Sequence, residues 1–187
     1  IIVLATKPRD ESLTAFASEQ GFTKVEQWDP KADPYITPRR MLWPDASSLY
    51  SALKQRRVFR HALSSMYTQG NWTVYIDELW YMIHHLKLEP EVRVYLLQAR
   101  SNGVSLVVGT QRPAHIPLEV YDQSSWLVFF RDNDETNLKR ISGISWLSKK
   151  VVQSLVANLD EYQALVINTR TGKMVRTTVE TEGGSNA

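Results

Sequence analysis

Apolar and polar positions alternate along this chain with two different periods. Largely apolar runs of the kind found in strands buried on both faces of a parallel sheet occupy residues 1–5, 73–76, 104–109 and 126–130. Apolar residues at helical spacing predict helices over residues 11–20, 46–67, 79–86, 89–102, 117–123, 134–141 and 148–158. Apolar strands that alternate with helices predict an α/β fold, with a mainly parallel sheet flanked by helices.

The end of the chain follows a different pattern. Residues 163–168 and 174–178 are strand-like and are joined by a short polar segment that contains Gly172. This arrangement predicts a β-hairpin, which we expect as an antiparallel addition at one edge of the sheet. Residues 182–187 are polar, and we expect a disordered tail there.

The segment between the first and second helices is harder to assign. Residues 23–28 fit a short strand, whereas residues 29–45 contain four prolines and are predicted to be a loop. There is no internal repeat and no clear domain boundary, so residues 1–181 are predicted to belong to one domain.

Composition narrows the class of protein only slightly. The chain has 187 residues, 43% of them hydrophobic and 22% charged, which is ordinary for a globular domain with a sizeable core. A net charge of +2 neither identifies nor opposes a nucleic-acid partner. The absence of cysteine excludes a disulfide framework and a thiolate metal site, and is compatible with the cytoplasm, where we expect the protein. No apolar run is long enough to span a bilayer.

The chain begins directly with an apolar run, residues 1–5. The chain opens with Ile1 and has no leading methionine. We therefore expect the sequence to be the C-terminal portion of a longer protein.

Two adjacent acids, Asp77 and Glu78, directly follow the predicted strand at residues 73–76. Ligands of open α/β sheets bind at the carboxyl ends of the strands, where these acids fall. A Mg²⁺-nucleotide site needs such a pair, because one acid holds the metal while the other orients the attacking water. The alternative is that the two acids simply favour the N-terminus of the next helix.

A second polar group follows the predicted strand at residues 104–109. Thr110, Gln111 and Arg112 come directly after Gly109, which permits close approach of the backbone. A glutamine at that position is able to bind a γ-phosphate or the attacking water. The alternative is a turn residue preceding Pro113.

Together these stretches resemble the second half of an FtsK/HerA-type motor ATPase, a family of RecA-like P-loop proteins. The run V-Y-I-D-E at 74–78 resembles the Walker B strand of that family. The run Q-A-R-S-N-G at 98–103, with the following strand and T-Q-R-P at 110–113, resembles the helix, strand and sensor that follow it. Residues 1–10 resemble the strand that comes after the P-loop helix.

The resemblance implies a role for individual residues. Asp77 would hold Mg²⁺, Glu78 would be the catalytic base and Gln111 would sense the γ-phosphate of ATP. Arg100 matches the arginine finger, which acts on the ATP of the neighbouring subunit; its alternative is a cation that interacts with a helix C-terminus.

Thr110 and Arg112 are the remaining candidate contacts to the nucleotide. The alternative role for Arg112 is to pair with a carboxylate or with the neighbouring subunit.

One element of the family is missing from this sequence. There is no G-x-x-x-x-G-K-[ST] loop, and the only Gly-Lys pair is Gly172-Lys173 in the late hairpin. We expect the P-loop strand and helix upstream of Ile1. Without them, residues 1–187 are expected neither to fold stably nor to hydrolyse ATP.

The function implied by the resemblance is that of an ATP-hydrolysing ring, expected to be a hexamer that moves DNA. Two alternatives remain open from the sequence. One is a motor for protein secretion or conjugation, and the other is a non-hydrolysing structural or DNA-binding ring subunit.

Other polar clusters give weaker indications. His84 and His85 point about 100° apart on a helix and so do not chelate a metal as an i, i+4 pair does. With Lys87 they are candidates for DNA contact, or else an exposed helix end. The basic cluster in the long helix fits a solvated surface equally well; it consists of Lys54, Arg56, Arg57 and Arg60.

Overall fold

A computed structural model describes residues 1–37, 39–142 and 149–178 of the chain. The chain divides into two compact units, which meet between Gln111 and Arg112. The predicted tail at 182–187 lies outside the described residues. The α/β class with a mostly parallel, helix-flanked sheet is confirmed.

The first unit contains a five-stranded parallel sheet in the order β2-β3-β1-β4-β5. Its strands are β1 (Ile2–Leu4), β2 (Thr23–Val25), β3 (Arg40–Leu42), β4 (Thr73–Ile76) and β5 (Ser105–Val108). Its helices are α1 (Glu11–Glu19), α2 (Ser51–Gln69), α3 (Leu79–His84) and α4 (Glu89–Gln98), and a 3₁₀ turn (Ala99–Asn102) follows α4.

Strand β3 was not predicted. It lies within the proline-rich segment that the sequence assigns to a loop, and it is only three residues long. Nevertheless it occupies an interior position between β2 and β1, and Met41 and Leu42 are fully buried. The propensity of so short a segment is weak, and pairing with two neighbouring strands decides its conformation.

Strand β1 lies at the centre of the sheet, between β3 and β4. On one face, Val3 and Ala5 pack with Met41, Trp43 and α1. The alternate residues Ile2 and Leu4 point to the other face and are fully buried as well. The continuous apolar run at the start of the chain is therefore explained by burial on both faces, as predicted.

The second unit contains an antiparallel sheet in the order β6-β7-β8. Its elements are a 3₁₀ turn (Pro113–His115), α5 (Leu118–Gln123), β6 (Trp126–Phe130), α6 (Glu135–Ser142), α7 (Lys149–Ala157), β7 (Gln163–Asn168) and β8 (Met174–Thr178). The predicted hairpin is present as β7-β8. Its partner strand is β6, so in the described residues the hairpin belongs to this three-stranded sheet.

None of the helices in the described part of the chain combines the length and the apolar character that a membrane span requires.

Candidate functional site

The carboxyl ends of β4 and β5 lie side by side. Ile76 is in register with Val108, and the pairing continues beyond both strands. The Gly109 N–H donates to the Ile76 carbonyl at 2.9 Å, and the Leu79 N–H donates to the Gly109 carbonyl at 2.8 Å. The two polar groups that follow these strands are therefore brought together.

Gly109 permits this close approach. A Cβ atom at residue 109 would lie 2.8 Å from the Asp77 carbonyl oxygen, which is far closer than two such atoms pack. Only glycine allows the backbone after β5 to follow the backbone after β4.

The Glu78 carboxylate accepts hydrogen bonds from three donors, which belong to two parts of the chain. It is the N-cap of α3, where its Oε1 accepts the Trp80 N–H at 3.2 Å. The same oxygen accepts the Thr110 hydroxyl at 2.9 Å, and Oε2 accepts the Gln111 N–H at 3.1 Å. The helix-cap alternative therefore holds for Glu78, and the contacts to the end of β5 are additional to it.

Asp77 presents a carboxylate oxygen without a partner. Its Oδ2 is buried and makes no hydrogen bond within the described structure. Burial raises the pKa of Asp77; the charge of Lys7 opposes the rise, and those of Asp10 and Glu78 add to it. A buried carboxylate oxygen without a donor is costly unless a cation satisfies it, so Asp77 fits a metal ligand.

Lys7 and Asp10 belong to the same charged group, although the sequence did not identify them as site residues. The Lys7 Nζ donates to Asp10 Oδ2 at 3.0 Å. That hydrogen bond raises the pKa of Lys7, and the charges of Asp77 and Glu78 also favour the ammonium. The sequence alone does not show that Lys7 lies near Asp77 and Glu78, because its position depends on the pairing of β1 with β4.

A cleft of about 200 Å³ opens beside Glu78. Thr6, Lys7, Ser48, Ser51 and Tyr81 contribute to its lining. The fully buried Gln55 links two sides of this region; its Nε2 donates to the Thr6 carbonyl at 2.9 Å, and its Oε1 accepts the Tyr81 hydroxyl at 3.0 Å. A small, partly polar cavity thus lies next to the acid predicted to act as base.

Arg100 is not brought to this site within the same chain. It is exposed in the 3₁₀ turn that precedes β5, whereas Gln111 follows β5. A four-residue strand is roughly 13 Å long, so the two residues lie at opposite ends of it. The side chain of Gln111 is exposed at the carboxyl end, beside Glu78.

The other candidate residues lie elsewhere. Arg112 begins the second unit and is exposed. His84 is the last residue of α3 and His85 is its C-cap, and both are exposed. The described residues hold no group of three His, Cys, Asp or Glu side chains that would enclose a metal ion.

The basic cluster of α2 is at least partly paired on the surface. Lys54 lies 3.3 Å from Glu26, and Arg60 lies 2.5 Å from Glu91. These ion pairs agree with the alternative of a solvated helix face.

Within residues 1–37, 39–142 and 149–178, β5 is the last strand of the sheet on this side. Its residues alternate between exposed and half-buried, and Val107 is 50% exposed. The opposite edge strand, β2, carries exposed Thr23 and Lys24. Charged residues normally protect an edge from further pairing, and β5 carries none; its exposed residues are Ser105 and Val107.

Comparison with solved structures identifies the fold. The chain is similar to the genome packaging NTPase B204 from Sulfolobus turreted icosahedral virus 2 in complex with sulfate, with a TM-score of 0.61, 15% sequence identity, and coverage of 97% of this chain and 96% of that chain. The same NTPase in complex with AMPPCP gives a TM-score of 0.60 and 17% identity, covering 97% of this chain and 98% of that chain. In complex with ATP-gammaS, the same NTPase gives a TM-score of 0.60 and 16% sequence identity, covering 97% of this chain and 98% of that chain.

A structure described as B204, the DNA-packaging ATPase from Sulfolobus Turreted Icosahedral Virus, gives a TM-score of 0.59 and 16% identity, with coverage of 96% and 97% of the two chains. No protein-family model matches the chain, and no curated protein matches it significantly. At these identities the likeness shows the fold, which is the one that the resemblance to motor ATPases implies.

Proposed function

We propose that this chain belongs to an ATP-hydrolysing ring motor of the FtsK/HerA type, with DNA as its cargo. The observation that carries the proposal is the junction of the β4 and β5 ends. There, a buried carboxylate oxygen of Asp77 lies beside a Glu78 carboxylate that is oriented by three donors. The structural neighbours are NTPases solved with nucleotide analogues, and they support this interpretation.

Glu78 is the proposed general base. A base must be held within reach of the water that it activates, and its orientation must survive thermal motion. The hydrogen bonds to Trp80, Thr110 and Gln111 restrict rotation of the carboxylate. The exposed side chain of Gln111 follows directly and is the proposed sensor of the γ-phosphate.

Asp77 is the proposed magnesium ligand. Because no group of three acidic or histidine side chains in the described part of the chain could hold a metal ion, Asp77 would supply one ligand and the remainder would be water and phosphate oxygens. Mg²⁺ prefers this type of coordination in nucleotide sites. When bound, the ion neutralises charge on the phosphates.

We propose that a further segment, paired with β5, supplies the phosphate-binding loop. The sequence has no P-loop motif, and β5 presents an edge without charged residues. A further parallel strand that pairs with β5 would cover Val107 and place the loop at its own carboxyl end beside Gln111. That position agrees with the interior P-loop strand of the family that the sequence resembles.

Arg100 is proposed to act on a neighbouring subunit. It lies at the amino end of β5, away from the acids of its own chain, and it is exposed. A cation that meets the charge on the transferring phosphoryl group speeds hydrolysis by about 10³–10⁵. Supplied in trans, Arg100 would make hydrolysis dependent on assembly of a ring, which we propose to be a hexamer.

DNA is the proposed cargo because the similar structures are described as genome-packaging and DNA-packaging enzymes. The test measures ATP hydrolysis by the complete encoded protein in Mg²⁺, with linear double-stranded DNA, with an unfolded polypeptide, and with neither. We expect DNA to raise turnover severalfold. Stimulation by the polypeptide alone would indicate a secretion motor, and an absence of hydrolysis in every condition would indicate a non-hydrolysing ring subunit.

A further inference from the structure

The loop after β5 donates hydrogen bonds to both oxygens of the Glu78 carboxylate. The half-buried Thr110 donates its hydroxyl proton to Oε1 at 2.9 Å. The next residue, Gln111, donates its backbone N–H to Oε2 at 3.1 Å. Consecutive residues of one loop therefore set the orientation of a carboxylate that belongs to another strand.

This arrangement rests on a rigid base. The backbone of Gly109 exchanges hydrogen bonds with Ile76 and Leu79, on either side of the two acids. The close approach at Gly109 leaves no room for a side chain between the two segments. Main-chain contacts therefore fix the backbone that leads into Thr110, and only the χ1 torsion of this β-branched residue is left to place its hydroxyl beside Glu78.

We propose that Thr110 is a positioning residue for Glu78, in place of the nucleotide contact expected from the sequence. A threonine hydroxyl has one proton to donate, and Thr110 gives its proton to Glu78. Because Gln111 bonds to the other oxygen, a shift of the Gln111 backbone also shifts the base. The inference rests on the proposed hydrolysis of ATP, and it specifies how the sensor strand and the base are linked.

The test compares the steady-state kinetics of Thr110→Val, Thr110→Ser and Thr110→Ala in the complete encoded protein. Valine keeps the β-branched shape but lacks the hydroxyl, whereas serine keeps the hydroxyl. We expect Thr110→Val to lower kcat for ATP about 10- to 100-fold with KM unchanged, because a displaced catalytic group costs turnover and not binding. Thr110→Ser restores most of kcat, and Thr110→Ala behaves like Thr110→Val.

A matched control and a reference variant separate the possible outcomes. Thr73→Val makes the same substitution at the amino end of β4, opposite Ser105, and should leave kcat unchanged. A higher KM with normal kcat in Thr110→Val would make Thr110 a nucleotide contact, and wild-type kinetics would remove its role; either result overturns the inference alone. If the wild type does not hydrolyse ATP, or Glu78→Gln is fully active, the proposed function fails and the inference fails with it.

Discussion

At Gly109 two backbone segments meet with no space for a methyl group, and the geometry of the site depends on this contact. We predict that Gly109→Ala lowers the free energy of unfolding by about 1–3 kcal/mol, as overpacking of a tight contact does. It should also lower kcat, because Glu78 is displaced from its donors. Urea denaturation and ATP turnover of the complete protein measure the two effects.

Gly21→Ala is the control for this substitution. Gly21 has φ +68° and open space around the position of a Cβ, so alanine there introduces backbone strain without a clash. Gly21→Ala should lose stability but keep its kcat. Full turnover in Gly109→Ala would show that the contact does not position the site.

The residues of the site were predictable to different degrees. Asp77, Glu78 and Gln111 follow apolar strands, and parallel strands bring their carboxyl ends to one edge of the sheet, so the meeting of these residues could be predicted. Lys7 and Asp10 join them only because β1 pairs with β4, and no local pattern reports that pairing. Gln55 is a polar residue within a helix, and only its partners in the fold account for its complete burial.

At the scale of single elements, α1 begins with a cap that also belongs to the charged group. Asp10 Oδ1 accepts the Leu13 N–H at 2.9 Å, and Oδ2 pairs with Lys7. Burial opposes ionisation of Asp10, but the Leu13 N–H and the Lys7 ammonium outweigh it, so the pKa of Asp10 is lowered. The carboxylate therefore stabilises the fold above its ordinary pKa of 3.8, and this stabilisation is lost as pH falls through the lower folded value.

We predict that Asp10→Ala costs about 1 kcal/mol of stability at pH 7, a typical cost for a lost N-cap. Asp10→Asn should lie close to the wild type, since asparagine also caps helices. The difference in stability between wild type and Asp10→Ala should be smaller below pH 4 than at pH 7. Urea denaturation of the complete protein at pH 7 and below pH 4 measures it. A difference that is independent of pH would show that the ionised carboxylate adds nothing.

Strand β5 shows why an apolar run is an ambiguous signal. The sequence predicts a strand buried on both faces, and the structure has a strand at that place but with a half-exposed edge. The run is consistent with a strand that a further segment covers. Strand β6 reads similarly in the sequence, yet it pairs antiparallel with β7, and Trp126, Val128 and Phe130 are more than half exposed.

At the scale of the whole molecule, the two compact units were not visible in the sequence. Both contain apolar strands and amphipathic helices, and the junction at Gln111 and Arg112 falls inside a motif that resembles a single sensor segment. The α/β class was predictable because alternating strands and helices are a local pattern. The division into a parallel and an antiparallel sheet depends on which strands pair, and strand pairing is not local.

We propose that an active site is shared between two chains, since Arg100 lies at the opposite end of β5 from Gln111 and Glu78. Glu78→Gln should lower turnover about 10²- to 10⁴-fold, as loss of a general base does. Arg100→Ala should lower it about 10³- to 10⁵-fold. Both variants should still bind ATP. Glu26→Gln, which neutralises an exposed acid far along the chain from the proposed site residues, should match the wild type.

The most direct test is to measure ATP hydrolysis by an equimolar mixture of Glu78→Gln and Arg100→Ala in the complete encoded protein. In mixed rings, an Arg100→Ala subunit keeps its own Glu78 and receives Arg100 from a Glu78→Gln neighbour. The account predicts that each variant alone is inactive and that the mixture regains a measurable part of wild-type turnover. Wild-type turnover in Glu78→Gln alone, or a mixture no more active than its two components, would contradict it.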